Sequence, residues 1–226
     1  SKFWIALWSD PVAYSPYANK AGDFKNLTEN AKKDYEIEIF KKADLLVFTN
    51  YHQMVYMLGK DINKYKEKSI IITHGFDPDF YSGEIEHPSN EKIVFAYIGH
   101  LDKNRTIIEL ANGLKDSKFK NMFKVKIIGH LPQDQVDYLI KNDLMEIFEV
   151  QDSLSWHESL REMQKCDFLL SMDPNYLNMD YSQQMGSKIA DYLGSMKPIL
   201  FLSYDKGISA DIAKSTGNKI IRNNAQ

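Results

Sequence analysis

Short, nearly continuous apolar runs recur along this chain, separated by stretches in which apolar residues return every three or four positions. The runs read as strands covered on both faces, and the periodic stretches as helices with one apolar stripe. FWIALW, residues 3–8, is the first strand and stops at Ser9-Asp10-Pro11, where proline ends a ladder. Residues 13–26, rich in Tyr, Pro, Gly and Asn, predict a loop. Residues 27–42 predict a helix capped by Thr28, with Ala31, Tyr35, Ile39 and Phe40 on one face. Residues 45–49 form the next strand, 51–58 a short helix stopped by Gly59, and 69–73 a third strand leading into His74-Gly75-Phe76-Asp77-Pro78.

The rhythm then breaks. Residues 79–90 carry Gly83, Pro88 and several acids without apolar periodicity, which is the composition of a linker. It restarts with strands at 93–98, 125–128, 147–150, 168–172, 199–202 and 219–221, and helices at 106–114, 133–141, 155–164 and 209–214. One more unit, QQMGSKIADYLGSMKPILFL, combines a polar turn, a short helix and a buried strand. Ser182 is its expected cap, Ile189, Leu193 and Met196 its apolar stripe, and Gly194 and Pro198 its end. Strands alternating with helices of about ten residues argue βαβ units and parallel sheets with right-handed crossovers. The fold class is therefore α/β.

Composition narrows the possibilities without naming a function. The 226 residues are enough for one large domain or two smaller ones, and a hydrophobic content of 43% supplies a core. A net charge of −3 gives no whole-chain attraction to nucleic acid or anionic lipid. The single cysteine, Cys166, sits between an amphipathic stretch and an apolar strand and reads as a buried thiol. No apolar run has the ~18 residues of a membrane span. Ser1, in place of Met and leading at once into a strand, suggests a piece of a longer chain.

Open parallel sheets bind ligands beyond the carboxyl ends of their strands. In the second half those ends carry Gly99-His100-Leu101-Asp102-Lys103-Asn104-Arg105, Gly129-His130-Leu131-Pro132, Gln151-Asp152-Ser153 and Asp173-Pro174-Asn175-Tyr176. Glycine permits close approach of backbone to a ligand, and helix N-termini favour anions. Arg105 and Lys188 are the cations best placed for a diphosphate, Arg as a fork and Lys as a point charge. Neither a GxGxxG fingerprint nor a P-loop lysine is present, which argues against a dinucleotide reductase or an NTPase. Asp152 reads first as a cap or solvated acid. Trp156 and Tyr192 read first as core aromatics, with base stacking as the alternative.

In order and spacing, AYIGHLDKNRTIIELANGL, VKIIGHL, CDFLLSMDP and SKIADYLGSMKPIL resemble the nucleotide-sugar-binding half of a GT-B glycosyltransferase of the large family-four retaining type. ADLLVFTNYHQ and IIITHGFDPDFY resemble the last strands of the acceptor half and the hinge. The resemblance implies two Rossmann-like parallel-sheet domains, the first incomplete. Residues 1–80 would be the C-terminal part of the acceptor-side domain with the hinge, and 90–226 the nucleotide-sugar-binding domain.

The same resemblance implies roles. The family's paired glutamates fall on Gln183 and Asp191, with Pro198 in register. Asp191 would hold the ribose hydroxyls, and Gln183, neutral here, would meet the donor sugar. His100 stands where the family has arginine, leaving Arg105 or Lys103 to supply fixed charge. Arg105, Lys188 and Gln183 are thus the expected catalytic set. Gly99, His100, Asp191, Ser187, Gly186, Gln151 and Asp152 are the expected substrate-binding set, with no metal and no cofactor beyond the nucleoside-diphosphate-sugar donor.

The expected activity is transfer of a sugar to a glycan or lipid-linked acceptor in surface polysaccharide or lipopolysaccharide synthesis. The expected place is the cytoplasm, at the inner face of the membrane if a preceding part makes peripheral contact. Asp10/Pro11 and Asn50/Tyr51 are candidates for the acceptor side. A nucleotide-sugar epimerase of the same fold and a non-catalytic nucleotide-sugar-binding domain are the alternatives.

Overall fold

The computed structural model describes residues 2–13, 27–81, 91–175 and 180–222. The chain forms two compact units, Ser1–His74 with Gln183–Met185, and Gly75–Ser182 with Gly186–Gln226. The expected loop beyond residue 13, most of the expected linker at 79–90, and Tyr176 lie outside the described residues.

The first unit is a three-stranded parallel sheet in the order β1-β2-β3, formed by Ile5–Trp8, Leu45–Phe48 and Ser69–Ile71. Its helices are α1 (Glu29–Lys42), α2 (Tyr51–Leu58) and the short α3 (Ile62–Tyr65), which the apolar pattern did not announce. Trp8 stacks on Phe48 with centroids 5.5 Å apart and meets Phe40 edge-on at 5.3 Å, and these rings with Leu46, Leu58 and Tyr65 form the core. Ile5 and Leu7 alternate with the buried Ala6 and Trp8 and stay exposed.

Thr28 caps α1 as expected, its side chain accepting from Ala31 N at 3.2 Å. The buried face of α1 differs from the expected one: Lys32, Glu36 and Phe40 are buried, whereas Tyr35 is 46% exposed. The reason is a partner distant in sequence. Glu36 accepts a hydrogen bond from Val12 N, so its carboxylate turns inward, and burial pushes its pKa up. Lys32, also inward, pairs with Glu29 at 3.2 Å.

The second unit is a six-stranded parallel sheet. Its strands are β4 (Ile93–Ile98), β5 (Phe123–Ile128), β6 (Phe148–Gln151), β7 (Phe168–Met172), β8 (Ile199–Ser203) and β9 (Lys219–Arg222). Its helices are α4 (Ile108–Lys115), α5 (Gln133–Lys141), α6 (Trp156–Gln164), α7 (Lys188–Gly194) and α8 (Ile208–Ser215). The spatial order β6-β5-β4-β7-β8-β9 reverses direction between β4 and β7. That is the doubly wound Rossmann order, whose switch point is where such sheets bind ligands. Leu139, Ile127, Leu170 and Phe148 lie in its fully buried core.

The turn ahead of α7 corrects two expectations. Ser182 caps no helix: it bridges to Gly207, its N–H goes to the Lys206 carbonyl, and Ser187 occupies the cap position of α7. Met196 lies beyond the helix with φ of 57° and is 69% exposed, so it is not part of the apolar stripe. Gly194 is the last residue of α7 and is set by packing: a Cβ there would fall 2.7 Å from the Tyr81 ring and 2.8 Å from the Phe76 ring.

Candidate functional site

At the switch point the ends of β4 and β7 part, and side chains take over their backbone groups. Tyr192 OH accepts from Ile98 N at 3.0 Å, and Arg105 Nε donates to the Met172 carbonyl at 2.9 Å. Tyr192 is 1% exposed, which settles it as a core aromatic. Arg105 is set by the turn before α4, where Asp102 Oδ1 accepts from Asn104 N and Arg105 N at 2.7 and 3.0 Å.

Beside this junction lies a cleft of about 370 Å³ within the second unit. Gly99, His100, Arg105, Lys188 and Asp191 line it together with Ser153, Leu154 and Trp156. Five residues singled out from the sequence are therefore brought together by strands and helices far apart in the chain. Gly99, at φ of 138°, leaves the space that the Lys188 side chain fills: a Cβ there would sit 1.6 Å from Lys188 Nζ. Lys188 Nζ also lies 5.0 Å from the centre of the Tyr97 ring. Burial, and then the Arg105 charge, hold its pKa down to about 8.

Asp191, three positions after Lys188, faces the same cleft. Its Oδ1 accepts from Tyr81 OH at 2.9 Å and its Oδ2 from Trp156 Nε1 at 3.3 Å. Burial, reinforced by this carboxylate, pushes the Tyr81 hydroxyl pKa up, so it remains a donor. Tyr81 and Trp156 are contacts that sequence reasoning missed around Asp191. The only signal was Trp156 itself, an aromatic at the first position of a helix behind the capping box of Ser155 and Glu158.

The other expected residues lie elsewhere. Gln151 ends β6 and is half-buried, Asp152 after it is exposed, and Gly186 and Ser187 form the exposed turn before α7. None of these four lines the cleft. Gln183 is buried in the first unit, where Asn50 Nδ2 donates to its backbone carbonyl at 3.0 Å. Its side-chain Oε1 is buried with no hydrogen-bond partner among the described residues. Asn50 also caps α2, its Oδ1 accepting from Gln53 N at 2.9 Å. Cys166 is buried as expected, its thiol pushed up to about 11 by burial. Among the described residues no three His, Cys, Asp or Glu side chains are grouped to hold a metal ion, and no helix is long and apolar enough to cross a membrane.

The site thus offers two cations and a carboxylate in one cleft at the switch point of a doubly wound sheet. Solved structures place this architecture more narrowly. HepE from Anabaena, solved in complex with UDP, matches 96% of this chain and 58% of its own with a TM-score of 0.69 at 11% identity. WaaG, a glycosyltransferase involved in lipopolysaccharide biosynthesis, matches 96% and 61% with a TM-score of 0.69 at 15% identity. Sucrose-phosphate synthase from Thermosynechococcus elongatus matches 97% and 54% with a TM-score of 0.64 at 12% identity. The fold is that of the GT-B glycosyltransferases. The chain spans about 58% of the length of HepE and 61% of that of WaaG. No protein-family model and no curated protein sequence matches it.

Proposed function

We propose that the second unit binds a nucleoside-diphosphate sugar, and that the protein transfers the sugar to a glycan or lipid-linked acceptor in surface polysaccharide or lipopolysaccharide synthesis. The observation that carries this reading is the convergence of Arg105, Lys188 and Asp191 on one cleft at the switch point of a GT-B fold. The UDP complex of HepE and the lipopolysaccharide role of WaaG support it.

The assignments follow the chemistry of the donor. Breaking the bond between the anomeric carbon and the phosphate oxygen places negative charge on the departing diphosphate, and the sugar becomes oxocarbenium-like. Preorganised cations at the diphosphate favour that charge distribution over the ground state. Arg105, its Nε held by the Met172 carbonyl, and Lys188, seated against Gly99, serve this role without a metal or other cofactor. Asp191 accepts from the ribose hydroxyls. We take the reaction as retaining, and the place of action as the cytoplasm at the inner face of the membrane.

Calorimetric titration with UDP-, GDP- and dTDP-sugars tests the reading. At least one is expected to bind, and the Asp191→Ala variant is expected to bind that donor about tenfold or more weakly, since removing one partner leaves ribose hydroxyls unmatched. A folded parent that binds none of them overturns the function. An unchanged Asp191→Ala affinity overturns the ribose assignment alone.

A further inference from the structure

Trp156 occupies an unusual place for a large aromatic ring. It begins α6 and is 44% exposed, although a buried ring of this size would remove far more apolar surface from water. Its orientation is nonetheless specified from two directions. Phe80 meets it edge-on at 4.7 Å between centroids, and its Nε1–H donates to Asp191 Oδ2 at 3.3 Å. The side chain is therefore held in place although the residue is only partly buried, and it lines the cleft.

Three kinds of functional group line that cleft. Arg105 and Lys188 supply its cations. Lys188 and Asp191 are three residues apart on α7, a spacing that puts side chains on one helix face with Cβ atoms about 5–6 Å apart. Asp191 is hydrogen-bonded in turn to Trp156. Cations, a carboxylate and an aromatic ring in one cleft match in kind the diphosphate, ribose and base of a nucleoside diphosphate.

Resting on the nucleotide reading above, we propose that Trp156 is the nucleobase platform of this site, fixed relative to the ribose-binding carboxylate by its own indole N–H. Stacking on an aromatic face tolerates any base, so Trp156 secures the presence of a base while other contacts choose among bases. The single hydrogen bond to Asp191 sets the distance between the stacking surface and the ribose acceptor before the ligand arrives.

The test uses the 226-residue chain with UDP, GDP and inorganic pyrophosphate, followed by calorimetry and tryptophan emission. Trp156→Ala is expected to weaken the better-bound nucleotide roughly tenfold or more and to leave pyrophosphate affinity unchanged. Trp156→Phe keeps a ring and is expected to retain most of the nucleotide affinity while losing the nucleotide-induced emission change. Trp156→Leu keeps apolar bulk against Phe80 without a stacking plane; it is expected to behave like Trp156→Ala and carries the test if that variant does not fold. A parent that binds nucleotide while the Ala and Leu variants bind it equally well overturns the platform and leaves the nucleotide reading standing. Equal losses of nucleotide and pyrophosphate also overturn it, because they mark a merely structural role. A parent that binds neither nucleotide overturns both.

Discussion

Lys188 shows how one residue can have opposite effects on binding and on folding. Its pKa, held near 8 by burial and the Arg105 charge, lies below the 10.5 of a free lysine. Below pH 8 it is charged and suited to a diphosphate, whose terminal phosphate (second pKa about 6) is already ionised at neutral pH. As pH rises through about 8 the site loses that charge, so affinity for the proposed donor nucleotide is expected to fall by several-fold between pH 7 and 9. Titrations at a series of pH values read this, and Lys188→Met is expected to start weak and lose the pH dependence. For folding the sign reverses. Between about 8 and 10.5 the unfolded chain binds this proton and the folded chain does not, so stability from Lys188 rises with pH across that window. Denaturant midpoints of parent and Lys188→Met, compared at pH 7.5 and 10, are expected to converge, because the charged lysine burdens the parent only at the lower pH.

At the scale of elements, much of the secondary structure was legible. β4, β7, α2 and α5 occupy the ranges their apolar patterns predict, because strands buried on both faces and amphipathic helices leave strong periodic signals. The short α7 did not follow its pattern. Met196 continues the stripe in sequence but turns to positive φ outside the helix, since the chain must leave α7 and enter β8 within a few residues. Gly194 gives a prediction at this scale. Helix propensity alone says that Gly194→Ala would stabilise α7 by as much as ~1 kcal/mol. The rings of Tyr81 and Phe76, packed edge-on at 5.4 Å, stand where the new methyl would go. Overpacking of this kind costs about 1–3 kcal/mol, so the variant is expected to be less stable on thermal melting. It is also expected to weaken binding of the proposed donor nucleotide by disturbing the Tyr81 bond to Asp191. A stabilised variant with unchanged binding would show that the rings move aside freely.

At the scale of the whole molecule, the division into two units carries its own prediction. Each has a separate core, built around Phe48 in one and around strands such as β8 with Phe201 in the other. Domains with separate cores often unfold in separate steps. Calorimetry is expected to resolve two transitions, with Phe48→Ala lowering one and Phe201→Ala the other. Each loss should be about 3–5 kcal/mol within its own unit. One cooperative transition, moved equally by both substitutions, would show instead that the two cores unfold together.

The sequence by itself determined the α/β class, the succession of strands and helices, the buried thiol and the short list of strand-end residues from which the site is drawn. These follow from interactions close in the chain: apolar period, caps, and the glycines and prolines that end elements. Tertiary structure alone decided which of those residues meet. Gly99, Arg105, Lys188 and Asp191 converge because strand order reverses between β4 and β7, a relation among segments that no local pattern encodes. It also decided that Glu36 turns inward to the Val12 N–H, and that Asp191 is held by Tyr81 and Trp156. Hydrogen bonds between residues distant in sequence leave no periodic trace, so the partners that orient this carboxylate appear only when the chain is folded.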